Sequence, residues 1–249
     1  MLKTERQEQI LEILQKNKYL APRDIADMLF TSYSSIRRDL EEMELSGLIL
    51  RSYGKVELAN NHPMLISYPI RMTENAQKKQ LIAKKAASLI HEGDTIFIDP
   101  SSSCSYFAKE LTNIKGITIV TNNIEILYYM TQYNVNVISS GGTQSEQNRY
   151  AMVGAIAENT FRNIYADYVI FSARSLTADG KIYDIHYAET TTRHVMLKNA
   201  AKKIFLCDSS KLNSISPYYQ CDLSDIDYLI CDTPSVKNYA KQFPNLNVL

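Results

Sequence analysis

Residues 31–51 read TSYSSIRRDLEEMELSGLILR, and they set two adjacent arginines, Arg37 and Arg38, behind a run of hydroxyls. Ordering an arginine costs rotamer freedom, so a pair held at a helix start faces something. Two partners are on offer: the acids that follow in the same helix, or a polyanion. Arg37 stands four residues before Glu41, and Arg38 four before Glu42, which is the spacing of ordinary surface pairs. The surrounding pattern decides. Ser32 is placed to cap a helix whose apolar face is Ile36, Leu40 and Met43, and Gly47 supplies a left-handed stop. Upstream, Thr4 and Gln7 have capping-box spacing ahead of Ile10, Leu11, Ile13 and Leu14, a helix to about Lys16. Pro22 suits the first position of a short second helix carrying Ile25, Met28 and Leu29. Phe30, Thr31 and Ser32 make a tight turn. Downstream, strands over 48–51 and 55–58 flank Ser52-Tyr53-Gly54. Three helices and a β-hairpin predict a winged helix-turn-helix over residues 1–58.

With Ile36 and Leu40 turned inward, Tyr33, Ser34, Arg37 and Arg38 occupy the exposed flank of the third helix. In a helix-turn-helix those turns enter the major groove, where arginine grips guanine O6 and N7. Ser32, Ser34 and Ser35 sit at the positive end of the helix dipole and suit phosphate. Arg51 and Lys55 on the hairpin suit the flanking backbone. The expected partner is double-stranded operator DNA. Residues 1–60 nevertheless hold nine Lys or Arg against ten Asp or Glu. A neutral module binds weakly alone, so a homodimer or homotetramer is expected.

The rest of the composition narrows the class. The 249 residues carry 27 cations and 27 anions, so bulk charge points to no partner, and 45% hydrophobic content is ample for a core. No run of 18 apolar residues is present, and MLKTERQEQI is too polar for a signal peptide, which places the protein in the cytoplasm. Cys104, Cys207, Cys221 and Cys231 show no C-x-x-C spacing and read as buried reduced thiols. Neither a cofactor nor a metal is expected.

Residues 59–75 mix Asn, Pro and isolated apolar residues and read as a linker, with a short ordered piece near Tyr68 to Met72. Asn75 is placed to cap a helix carrying Leu81, Ile82, Ala86, Leu89 and Ile90 and ending at Gly93. From residue 76 to 249 short apolar runs alternate with helical patterns. The runs are 95–99, 117–121, 135–139, 168–173, 203–208 and 228–232; helices fall near 106–111, 124–130, 153–161 and 189–199. That alternation predicts an α/β domain with a largely parallel, Rossmann-like sheet covered on both faces. Ligands of such sheets bind outside the strand C-termini. Those ends are polar here: Asp99 with Ser101-Ser102-Ser103, Thr121-Asn122, Gly141-Gly142, Arg174, and Lys211. Serines at a helix start suit a phosphate, paired glycines allow close backbone approach, and Arg174 and Lys211 suit an anion. Asp99, Asn122 and Glu189 suit sugar hydroxyls. Each loop taken singly also reads as turn and cap residues.

Ser35-Ile36-Arg37-Arg38-Asp39-Leu40, with the glycine and arginine that follow, resembles the signature of the DeoR family of bacterial transcriptional regulators. Asp99, Thr121-Asn122, Gly141-Gly142 and Asp208-Ser209-Ser210-Lys211 resemble the landmarks of the same family's sensor domain. The resemblance implies a sensor similar to ribose-5-phosphate isomerase and a phosphorylated sugar as effector. It implies a DNA-binding regulator, read as a repressor, of a sugar or carbohydrate metabolism operon, and not an enzyme. Three stretches depart from the family pattern, one being Ser172-Ala173-Arg174-Ser175 after the fourth strand, where the family usually has glycine. Ser52-Tyr53-Gly54-Lys55 replaces the usual wing sequence, and serine replaces a permissive glycine at Ser101-Ser102-Ser103. Two alternatives stand beside this reading. One is a sugar-phosphate isomerase-like enzyme, for which Asp179 and Asp184 are the available acids. The other is a regulator whose C-terminal domain has stopped sensing and only assembles.

Overall fold

Apolar side chains at helical spacing bury Ile10 and Leu14 of α1 (Lys3–Lys16) against Ile25 of α2 (Pro22–Met28) and Ile36, Leu40 and Met43 of α3 (Tyr33–Leu45). A hairpin of β1 (Ile49–Ser52) and β2 (Lys55–Leu58) closes this core with Ile49, Val56 and Leu58. Leu20 joins the hairpin edge through two backbone bonds with Val56, 2.9 and 2.7 Å long. The computed structural model describes residues 3–17, 19–45, 48–52, 54–58 and 68–249. The Gly47 stop and the Tyr53 tip expected from the sequence lie outside the described residues.

Two local expectations in this region are corrected, and the short ordered piece expected near Tyr68 to Met72 is found. Helix α1 already includes Lys3, so Thr4 lies inside it and is not its cap. Met28 is half-exposed, and Ala26 takes the inward place beside Ile25. Within the expected linker, Tyr68–Thr73 forms a helix, α4, with Tyr68 buried. The chain divides into two compact units, 1–74 and 75–249.

The second unit begins with α5 (Ala76–Ala87). Asn75 does not cap it: its backbone is left-handed, φ 53°, and its side chain donates instead to Ser210 Oγ at 3.3 Å. The helix stops at Ala87, short of Gly93, and Leu81 is half-exposed. There follow β3 (Thr95–Ile98), α6 (Ser102–Glu110), β4 (Thr118–Thr121), α7 (Ile124–Met130) and β5 (Asn136–Ser139). A hairpin of β6 (Thr143–Gln144) and β7 (Met152–Val153) leads into α8 (Ala155–Arg162) and β8 (Ala166–Phe171). Next come β9 (Ser175–Leu176), β10 (Lys181–Asp184), α9 (Tyr187–Lys198) and β11 (Ala200–Cys207). The chain ends with β12 (Tyr218–Asp222), β13 (Tyr228–Cys231), α10 (Lys237–Gln242) and β14 (Asn247–Val248).

Seven of these strands form one parallel sheet in the order β14-β13-β11-β8-β3-β4-β5. Successive side chains point to opposite faces, which explains the unbroken apolar runs. Phe97, Val120, Val169, Phe171 and Phe205 pack with Phe161, Met196 and Tyr239 on one side. Ile96, Ile98, Ile119, Ile170, Ile204 and Leu206 pack with Ile82, Phe107 and Ile126 on the other. All four cysteines are buried free thiols. The chain grows outward from β3 through β4 to β5, then restarts at β8 and grows the opposite way through β11 to β14. The direction therefore reverses between β3 and β8. At such a reversal open α/β sheets hold their ligand crevice, beyond the strand C-termini. A separate antiparallel sheet, β12-β10-β9, is added beside it.

Candidate functional site

The exposed flank of α3 answers the question posed by its charges. Each of its four acids is held by a cation. Asp39 is buried and bonds the Arg6 guanidinium through both oxygens. Glu42 takes Lys3 at 2.7 Å and Gln7 at 3.3 Å, so α1 occupies the acid that stands four residues after Arg38. Glu44 faces Arg51 at 3.6 Å. Arg37 does pair with Glu41, at 2.9 Å, both side chains being exposed. Arg38 makes no salt bridge with any described residue and projects into solvent. Ser32 Oγ accepts from the Ser35 amide at 3.3 Å and lies 3.1 and 2.9 Å from the hydroxyls of Ser34 and Ser35, which makes it the cap of α3. Tyr33 is half-exposed, with the Arg23 guanidinium 5.9 Å from its ring centre. On the hairpin, the Lys55 ammonium sits 3.8 Å from the Tyr19 ring centre.

In the second unit the crevice between β3 and β8 collects polar groups. Asp99 ends β3 and is fully buried. It accepts from the amides of Ser101 at 3.0 Å and Ser172 at 3.3 Å, and from Arg193 Nε at 2.8 Å. Ser101 caps α6 by accepting from the Cys104 amide, so the N-terminus of α6, with buried Ser102 and Ser103, follows directly from the end of β3. From the other side Lys211 reaches Ser172 Oγ at 2.6 Å and Asp208 at 3.6 Å, with only 13% of its side chain exposed. Burial works against the Asp208 carboxylate, but the Lys211 charge and the Ser210 hydroxyl outweigh it and hold its pKa below the usual range. Two buried polar atoms here, Ser103 Oγ and Asn122 Oδ1, have no hydrogen-bond partner among the described residues. Buried polar atoms are almost always paired, so these two stand out at this strand edge.

The remaining residues expected at this edge divide by role. Thr121 donates its hydroxyl to the Ile98 carbonyl at 2.7 Å, a bond between strands. Asn122 Nδ2 bonds the Met152 carbonyl at 2.9 Å. Gly141 and Gly142 end β5, two strands away from the crevice. A Cβ on Gly142 would lie 2.6 Å from the Val153 carbonyl oxygen, so this glycine accommodates the chain's own backbone. Arg174 is half-buried on the loop after β8, and its amide bonds the Tyr183 carbonyl at 3.1 Å. Glu189 is buried in the first turn of α9.

One residue had no signal in the sequence. Arg193 is 1% exposed and gathers Asp99, Asp184 at 2.7 Å and Gln220 at 3.0 Å. Burial opposes its charge, but the carboxylates of Asp99, Asp184 and Glu189 outweigh burial and hold the guanidinium protonated. A single arginine within a helical pattern reads as surface; only the tertiary fold shows three elements converging on it. Among the described residues no group of three or more His, Cys, Asp or Glu side chains is arranged to hold a metal, and no helix is long and apolar enough to cross a membrane.

A model of the DeoR-like helix-turn-helix domain matches residues 6–62, and one of the DeoR C terminal sensor domain matches residues 74–233. The chain belongs to the DeoR family. The HTH-type transcriptional regulator GolR of Listeria innocua is 30% identical to this DeoR-family chain, covering 98% of it and 96% of GolR. The L-fucose operon activator of Escherichia coli is 29% identical, covering 94% and 97%. The HTH-type transcriptional repressor GlcR of Bacillus subtilis is 29% identical, covering 93% and 89%. Ribose 5-phosphate isomerase A of Methanocaldococcus jannaschii superposes at a TM-score of 0.42 and 18% identity, covering 56% of this chain and 55% of that one. DeoR-family proteins are DNA-binding transcriptional regulators, not enzymes. The two acids that an isomerase-like enzyme would need are engaged elsewhere. Asp179 is exposed and pairs with Lys181 at 3.2 Å, and Asp184 belongs to Arg193.

Proposed function

We propose that this DeoR-family regulator represses a carbohydrate-utilisation operon in the cytoplasm and binds its operator as a homodimer or homotetramer. Arg37 and Arg38 read base edges, Tyr33, Ser32, Ser34 and Ser35 contact the backbone, and Arg51 and Lys55 flank them. The observation that carries this reading is the disposal of the four α3 acids onto Lys3, Arg6, Arg37 and Arg51. It removes the charge that would repel phosphate and leaves Arg38 without an acid. A phosphorylated sugar occupies the crevice between β3 and β8. Its phosphate takes the N-terminus of α6 and the hydroxyls of Ser101, Ser102 and Ser103, with Lys211 and Arg174 opposite. Its hydroxyls meet Asn122. Asp99, Thr121, Glu189, Gly141 and Gly142 shape the edge that holds these groups.

A panel of sugar phosphates tested by thermal melting checks the crevice. A true effector at about 100 times its Kd raises the melting temperature of the wild type by roughly 5 °C or more. Lys211→Met weakens that ligand by about 10- to 100-fold, because a hydrogen-bonded charge is lost. If no member of the panel shifts the wild type, the crevice is a relic and the second unit serves assembly alone.

A further inference from the structure

The turn between α2 and α3 carries a residue that costs the free protein twice. The amide of Phe30 bonds the Asp27 carbonyl at 3.2 Å, and the amide of Thr31 bonds the Ala26 carbonyl at 3.0 Å. Together these form the Schellman closure of α2, which requires a left-handed residue at its centre. That residue is Phe30, at φ 49°. Glycine takes this conformation freely, whereas a side chain with a Cβ is strained in it. The ring gives nothing back, because Phe30 is 97% exposed. A strained backbone and a bare aromatic ring at one position point to a partner.

The neighbours say which partner. Phe30 lies two residues before the Ser32 cap and directly ahead of the α3 flank that carries Tyr33, Ser34, Arg37 and Arg38. Half-exposed Met28 precedes it. An exposed apolar side chain in the turn that leads into a groove-reading helix matches the one apolar feature of the major groove, the thymine C5-methyl group. We propose that Phe30 packs its ring on a thymine methyl at the edge of the operator half-site and thereby helps to set sequence preference. This inference rests on duplex reading by α3.

The test uses the full-length protein and a duplex selected by the wild type from random sequence. Phe30→Gly relieves the left-handed strain, so the variant melts no lower than the wild type. Its affinity for the selected duplex falls about fourfold, the equivalent of one apolar carbon returned to water. The dependence of affinity on salt does not change, because no phosphate contact is lost. Replacing thymines one at a time by deoxyuridine removes only the methyl group. One such replacement costs the wild type the same factor and leaves Phe30→Gly unaffected. Wild-type affinity in Phe30→Gly, or indifference of the wild type to every deoxyuridine, overturns the contact while leaving the α3 reading intact. A wild type that enriches no duplex overturns both.

Discussion

Arg193→Met is expected to lower the stability of the second unit by about 3–5 kcal/mol, the loss that follows when one partner of a buried ion cluster is removed. The guanidinium joins Asp99 at the end of β3, Asp184 at the end of β10 and Gln220 on β12. Methionine fills much of the same space but leaves both carboxylates buried with no opposing charge. A whole domain of this kind is stable by only about 5–15 kcal/mol, so the melting temperature falls by roughly 10 °C. Arg193→Lys keeps the charge but loses the planar fork, and falls between the two. Urea and thermal unfolding followed by circular dichroism provide the two measurements. A methionine variant that melts within about 2 °C of the wild type means that the three elements are held together by packing, and that the cluster contributes little.

Replacing Arg37 and Arg38 together by alanine is expected to weaken binding to the selected duplex by about 100-fold and to flatten its salt slope by one to two ions, an order of magnitude set by bidentate base contacts and counterion release. The two positions are not equivalent. Arg37 must first leave Glu41, an exposed pair that separates readily in water, whereas Arg38 has no acid to leave. Arg38→Ala alone therefore carries the larger share. Filter binding at several salt concentrations separates affinity from slope. Unchanged affinity together with an unchanged slope would show that this flank of α3 faces water.

The sequence made the framework legible wherever the physics was local. Apolar runs located the six main strands of the parallel sheet to within a residue or three, as with 203–208 against Ala200–Cys207, even for the largely exposed edge strand β5. The helical repeat of Ile36, Leu40 and Met43 is the buried face of α3. Short antiparallel strands escaped notice. Lys181–Asp184 and Tyr218–Asp222 are four and five residues long, are only partly buried and contain charges, so they look like loop. At the crevice, residue types were visible but allegiance was not. Asp99 reads equally well as a sugar ligand or as the partner of an arginine 94 positions away, and only the fold places Arg193 beside it. Glu42 likewise reads as the partner of Arg38 until α1 brings Lys3 and Gln7 across.

The pairing of the α3 acids has one more consequence. Taken alone, Tyr33–Leu45 holds two arginines against four acids, a net charge of −2. Three of those acids are neutralised by Lys3, Arg6 and Arg51, which lie elsewhere in the first unit. The reading helix is therefore not a portable cassette. Transplanted onto another scaffold, or synthesised as a peptide, it would carry its own electrostatic veto. A chimera that exchanges specificity with a relative must move the first helix and the hairpin along with it.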